Sequence, residues 1–292
     1  MKTVYRDAIL LLMMSLFWAI NYPLVKIAVM YENEFYVLFF RILFALILSL
    51  ILFPRSLILE GSLKTQIKLF TLSMLNIVGF MEFWFIGEMT ESASISSIII
   101  YSYPVIVVLL SIFFLGERVK ALNFLGIIIG LFGIFLIFSE EIQVHSIEGL
   151  LFLILSALSW SFGTIFYKKY LKGIEPVKIN TMQFIYALPV TFIFAIISGP
   201  IDFSKLNMYF FAVTIYMGTL GTSIAWFIYL ILYRKYSVSK ISSYLFLVPA
   251  LSVILSFLIL KESLNIFTFI GLGTIMFGIY LSQNSNLNNK MK

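Results

Sequence analysis

Residues 104–117 read Pro-Val-Ile-Val-Val-Leu-Leu-Ser-Ile-Phe-Phe-Leu-Gly-Glu, and residues 249–262 read Pro-Ala-Leu-Ser-Val-Ile-Leu-Ser-Phe-Leu-Ile-Leu-Lys-Glu. Each opens on a proline and runs apolar to a glutamate, with serine (Ser111, Ser256) and leucine (Leu115, Leu260) at matching places. Neither alternates polar and apolar residues every second position, as a lipid-facing barrel strand does. Both read as long stretches of a helix that crosses lipid. The two stand 145 residues apart, so the chain states the same design twice.

Outward from these segments the composition stays that of a lipid-dissolved chain. Of 292 residues, 61% are hydrophobic and 12% charged, with a mean hydropathy of +1.04. Soluble domains run at about 45–50% apolar and about 25% charged. A bilayer core about 30 Å thick takes about 20 apolar residues per helical span. Apolar runs fall near residues 8–29, 36–53, 69–88, 94–115, 122–138, 148–167, 179–198, 208–232, 239–260 and 266–282. In lipid they must be helices, because each backbone N–H and C=O has to find its partner within the segment. The expected fold is therefore an all-α integral membrane protein of ten transmembrane helices, with no room for a separate soluble domain. The N-terminal run is not read as a cleaved leader, because no small-x-small site follows it and its pattern recurs later.

Charge in the loops sets the orientation. Lys2, Arg6, Arg55, Lys64, Lys68, Arg118, Lys120, Lys168, Lys169, Lys172, Lys178, Arg234, Lys235, Lys240, Lys290 and Lys292 fall at one set of alternate loops and ends. The opposite loops carry Lys205 and Lys261, and collect Glu32, Glu34, Glu88, Glu91, Glu140, Glu141, Glu148, Asp202 and Glu262. By the positive-inside rule both termini are expected to be cytoplasmic, in a multi-pass protein of the cytoplasmic membrane. The net charge of +6 is thus a topology signal rather than a nucleic-acid footprint, and no nucleic-acid partner is expected.

The repeat extends through both halves. Ser15-Leu16-Phe17-Trp18 with Lys26 matches Ala157-Leu158-Ser159-Trp160 with Lys168 at an offset of 142 residues, as Ala45-Leu46 matches Ala187-Leu188. Past a three-residue slip, Ser94, Ser97, Pro104, Gly126 and Gly133 match Ser239, Ser242, Pro249, Gly271 and Gly278. Five spans is an odd number, so the second copy should lie upside down relative to the first, a recurrent plan of secondary transporters with the binding site where the repeats meet. The expected organisation is a first repeat over residues 1–140, an inverted second over 147–283, and a short cytoplasmic tail over 284–292.

This doubled pattern of Pro104 to Leu115-Gly116-Glu117 with Gly126 and Gly133, and Pro249 to Leu260-Lys261-Glu262 with Gly271 and Gly278, resembles the paired domains of EamA-type carriers in the drug/metabolite transporter superfamily. Trp18-Asn21 and its counterpart Trp160-Gly163 agree with it. The resemblance covers about residues 8–282. It implies ten helices with both ends inside, a central cavity lined by the first, third and fourth helix of each half, and export or exchange of small metabolites.

Polar groups within spans are costly and so mark cavities or partners. Here they are Lys26, Arg41 and Glu82, with Asn21, Asn76 and Gln183 as neutral companions. A buried ion-paired cluster of Lys26, Arg41 and Glu82 is one expectation; a snorkelling Lys26 and a structural Arg41 are the plainer one. Glu82 is open to two roles, carrier of a coupling proton or fixed counter-charge. Helical spacing gathers Trp18, Asn21, Tyr22 and Val25 on one stripe and Ser94, Ser97, Tyr101 and Pro104 on another. Thr222, Trp226, Tyr229 and Tyr233 form a third. The expected substrate-binding residues are Trp18, Asn21, Arg41, Glu82, Tyr101 and Trp226. Pro104 and Pro249 should kink their helices, Gly126, Gly130 and Gly133 should make a close-packing face, and Glu117 and Glu262 should organise helix ends.

Other chemistry is not encoded. There are no cysteines, and the single histidine, His145, has no second histidine to share a metal. No P-loop, HExxH or serine elbow is present. The expected protein is a secondary transporter, not an enzyme, with no cofactor and no metal. It would move amino acids or related small metabolites by alternating access, alone or with a coupling proton, as a monomer. A lipid-linked-sugar flippase and a non-transporting membrane receptor or enzyme are the rival readings.

Overall fold

The computed structural model describes residues 2–57, 62–91, 93–141, 145–260 and 265–287. Lys261, Glu262, residues 288–292 of the expected tail, and the side chains of Lys2, Ser94, Ser256 and Leu260 lie outside the described residues.

Among the described residues ten helices are long and apolar enough to cross a membrane: α1 (Tyr5–Ala28), α2 (Glu34–Leu52), α3 (Leu63–Glu88), α4 (Ile95–Leu115), α5 (Ala121–Phe138), α6 (Ile147–Leu171), α7 (Pro176–Ile197), α8 (Met208–Lys235), α9 (Val238–Ile259) and α10 (Ile266–Gln283). Their starts are written in the sequence. Asn33, Ser146 and Asn207 cap α2, α6 and α8 by accepting backbone N–H groups of the first turn. Gly116 ends α4 in the left-handed region at φ 66°, a conformation that side chains with a Cβ rarely adopt. α3 begins at Leu63, ahead of the expected 69, because Ser62 caps a polar first turn. Large apolar side chains such as Phe113, Ile197 and Phe269 stand exposed on the rim, where lipid is the solvent.

Lipid removes most of the hydrophobic drive for helix association, so close packing has to supply it. α5 and α10 meet through glycine. A Cβ at Gly126 would lie 2.5 Å from the Gly278 carbonyl oxygen, and one at Gly133 would lie 2.8 Å from that of Gly271. Because Gly126 corresponds to Gly271 and Gly133 to Gly278, each contact is the image of the other. The larger pairings repeat this relation: α1 packs on α9 as α6 does on α4, α1 on α8 as α6 on α3, and α2 on α8 as α7 on α3. The contacts α2 with α7, α4 with α9 and α5 with α10 map onto themselves. Two inverted halves about an axis in the membrane plane would have this contact pattern.

Backbone irregularities also recur. α3 carries a π-helical stretch at Met74–Gly79 and α8 one at Thr219–Ile224, again 145 residues apart. Such bulges release carbonyls from the helix ladder, and lipid cannot satisfy them. Crossing helices do so instead: Ser159 donates to Leu75 O at 2.8 Å and Ser156 to Phe80 O at 2.6 Å, while Asn21 donates to Gly221 O at 3.2 Å and Asn180 to Ser223 O at 2.9 Å. The prolines differ from expectation. α4 is interrupted at Tyr101–Ser102 and Pro104 sits in the first turn of a new segment, Tyr103–Leu115, while α9 breaks at Leu245–Phe246 just before Pro249. A proline in a first turn has no helix hydrogen bond to lose, so it starts a segment where a kink was expected.

Candidate functional site

Four tryptophans occur in the chain, Trp18, Trp84, Trp160 and Trp226, and all line one cavity between the halves, together with Asn21, Tyr22, Arg41, Phe80, Met81, Ile100 and Tyr101. Trp18 stands edge-on to Trp160 and to Trp226, both at 5.7 Å between ring centroids. Phe80 lies 4.7 Å from Trp160 and stacks on Trp84 at 6.0 Å. Indoles presented at these distances make broad apolar walls with few rotamers, suited to flat or apolar ligands. The space open to a water-sized sphere is about 30 Å³, so the walls are drawn together.

Polar groups stand on either side of the indoles. Toward the face carrying the acidic loops, Tyr22 donates to the Tyr101 hydroxyl at 2.9 Å, and the Arg41 Nε donates to Thr222 Oγ1 at 2.7 Å. Thr222 lies in the π-helical stretch of α8, which packs against α2. Toward the face carrying the basic loops, Tyr229 is the hub of a buried network. Its hydroxyl accepts from Trp160 Nε1 at 3.1 Å and meets Thr164 Oγ1 at 2.5 Å and the Tyr103 hydroxyl at 2.9 Å. Tyr103 donates to Tyr233 at 3.0 Å, which bonds Ser242 at 2.9 Å. These side chains leave no passage among themselves, since Tyr103, Thr164, Tyr229, Tyr233 and Ser242 are all fully buried.

Below that network the helix ends are tied by charge. Asp7 of α1 pairs with Lys235 and accepts from the Tyr236 hydroxyl. Burial, and then the bond to Asp7, push the Tyr236 phenol above its ordinary pKa. Glu117 accepts from Val238 N at 2.9 Å and pairs with Lys168 at 3.5 Å, so it holds α4, α6 and the start of α9 together.

Of the six residues expected from the sequence, Trp18, Asn21, Arg41, Tyr101 and Trp226 line the cavity. Glu82 does not. Phe80, Met81 and Trp84 occupy one face of α3, and Glu82 falls two residues before Trp84, roughly 200° round the helix. The expected cluster of Lys26, Arg41 and Glu82 does not form. Both Glu82 carboxyl oxygens are buried without a hydrogen-bond partner, Arg41 is committed to Thr222, and Lys26 is exposed near the end of α1, within charge range of Glu88. Glu88, the last residue of α3, and not Glu82, lies at that end. Sequence reasoning did not nominate Trp84, Phe80, Met81 and Ile100 as site residues; the spacing of Phe80 and Trp84 at i and i+4 in an amphipathic sense was the available signal. The cavity draws on α1, α3 and α4 with α6 and α8, as the resemblance implies, but it takes Arg41 from α2 as well. α9 contributes to the network below through Ser242.

Comparisons with known proteins agree with this architecture. The sequence profile of the EamA-like transporter family matches residues 6–139 and again residues 147–283. The uncharacterized transporter YvbV of Bacillus subtilis is 29% identical over 94% of this chain and 91% of its own length. An uncharacterized transporter of Acidianus ambivalens is 28% identical over 87% of this chain and 96% of its own. The chloroplastic WAT1-related protein At3g02690 of Arabidopsis thaliana is 23% identical over 91% of this chain and 66% of its length. One solved crystal structure superimposes with a TM-score of 0.81 at 14% identity, over 95% of this chain and 97% of that one, a likeness of fold.

Proposed function

We propose, from the premise that this chain belongs to the EamA-like transporter family, that it is a carrier working by alternating access, with the tryptophan-lined cavity as its substrate site. The chain is a multi-pass membrane protein and a transporter by family; the cargo, in our reading, is a small metabolite such as an amino acid or a related compound, exported or exchanged. The observation that carries this is the convergence of all four tryptophans on one cavity at the crossing of two like halves. Repeat-built carriers bind near the midplane at that interface, and ligand sites are mostly apolar with a few placed polar groups.

The contracted cavity fits a state closed around its site, with the Tyr229 network and the Asp7 and Glu117 ties sealing the basic-loop side. The basic loops support a cytoplasmic position for that side and for both termini, in the cytoplasmic membrane. Glu82, buried with neither oxygen bonded, is a carboxyl that a coupling proton could neutralise, apart from the cargo. One chain holds both halves and is expected to work as a monomer, without cofactor, nucleic acid or catalytic step.

The test is transport by the purified protein in proteoliposomes of the metabolites that raise its melting temperature in a library screen, since ligands of the native state stabilise it. Trp18→Ala and Trp226→Ala should abolish transport while the protein remains folded. Unchanged transport in both variants removes the site.

A further inference from the structure

Arg41 is the feature the fold itself does not require. It is 3% exposed, lines the cavity, and donates from Nε to Thr222, while its Nη1 is buried without a hydrogen-bond partner. Among the described residues no carboxylate forms an ion pair with it. A guanidinium stays charged at any physiological pH, and a charge held out of water without a partner is costly.

The repeat supplies an internal comparison. Gln183 of α7 stands at the position equivalent to Arg41, 142 residues on. It accepts from Asn76 Nδ2 at 3.3 Å across the α3 bulge, as Arg41 bonds Thr222 across the α8 bulge. The backbone environments correspond too: Ser73 donates to Gln183 O at 2.6 Å, and the equivalent Gly218 packs so closely that a Cβ would lie 2.6 Å from Arg41 O. A neutral amide therefore suffices to join helices at this place in the fold. The positive charge of Arg41 is surplus to that structural role, and it faces the aromatic cavity.

Resting on the reading of this cavity as the substrate site, we infer that the cargo is an organic anion with a flat apolar or aromatic body. Its anionic group, a carboxylate or an equivalent acid, takes the free edge of the Arg41 guanidinium. Its body lies among Trp18, Trp84, Trp160 and Trp226. Arg41 binds and orients the cargo through paired N–H donors, the geometry that guanidinium offers to planar acids. Because the cavity is contracted, the anion enters when the halves part and the indoles then close on it.

The test uses three carbon skeletons, benzyl, phenylpropyl and indolyl, each as carboxylate, primary amide and primary amine. Binding to the detergent-solubilised full chain in sodium sulfate is read by thermal shift and by intrinsic fluorescence, whose tryptophans all line the cavity. At least one carboxylate should bind saturably and at least tenfold more tightly than its amide, with the amine weaker still. Arg41→Gln, which places at 41 the residue that already serves at 183, should keep the melting temperature of the unliganded protein and bring acid and amide to within about twofold. Arg41→Lys should retain a reduced preference for the acid. Amines binding as well as acids, or Arg41→Gln keeping the preference, overturns the anion assignment and leaves the cavity as a site. Chloride alone producing the same shift overturns the organic assignment. Failure of all nine probes to bind overturns the anion assignment, and a library ligand whose binding ignores Trp18→Ala removes the site itself.

Discussion

Replacing Tyr229 with phenylalanine removes one hydroxyl from the seal on the basic-loop side and leaves the ring packing in place. That hydroxyl accepts from Trp160, and its one hydrogen is shared between Thr164 and Tyr103. Thr164 keeps its bond to Trp160 O at 2.9 Å, and Tyr103 keeps Tyr233 at 3.0 Å, but the Trp160 N–H loses its partner. Interhelical hydrogen bonds in membranes average about 0.6 kcal/mol and reach about 1.7, so the closed arrangement should weaken by about 1–2 kcal/mol. Because about 1.4 kcal/mol is tenfold in an equilibrium constant, the fraction open toward the basic face should rise by about 5- to 30-fold. The chain has no cysteine, so a single Ser239→Cys, on α9 beside this network and 6% exposed, reports that opening directly. Its rate of reaction with an impermeant maleimide applied from the basic face should rise by the same factor in the Tyr229→Phe background. An unchanged rate in a folded protein would refute the reasoning that these hydroxyls hold the side shut.

Gly126→Ala should lower the melting temperature, because its Cβ would meet the backbone of α10 at 2.5 Å and overpacking costs about 1–3 kcal/mol. Gly273→Ala on α10, with nothing within 4 Å, should leave the melting temperature unchanged or raise it. Glu82→Gln should leave ligand affinity within about twofold of wild type but flatten the dependence of transport on an imposed pH gradient; a retained dependence assigns coupling elsewhere. Cysteines placed at Lys172 and at Glu32 should label from opposite faces of right-side-out vesicles, and labelling from one face would end the topology argued from the loops.

Much of the fold was legible because lipid imposes it. Apolar runs of span length, the alternating basic loops and the doubled Pro104 and Pro249 segments constrain the chain more tightly than helix propensity does in water. Gly126 and Gly133 were legible as a packing face because few other residues let backbones approach so closely. The candidate site was legible where a helical stripe sufficed, as with Trp18 and Asn21, or Trp226 and Tyr229. The one expected residue that the cavity does not include turns on the direction of a side chain around the helix: Glu82 lies behind the face that carries Trp84. The π-helical stretches have no sequence signature of their own, so the reach of Arg41 to Thr222 and the settings of Asn76 and Gln183 could be seen in space alone.

The central claim is that one tryptophan-lined cavity serves both faces of the membrane in turn. A single cysteine in place of Ile100, which lines the cavity and is 2% exposed, tests it in vesicles of known orientation. Impermeant maleimide should reach that cysteine from either face, slowly, and transported cargo should slow both reactions. Reaction from one face alone, or no protection by cargo, would contradict the account.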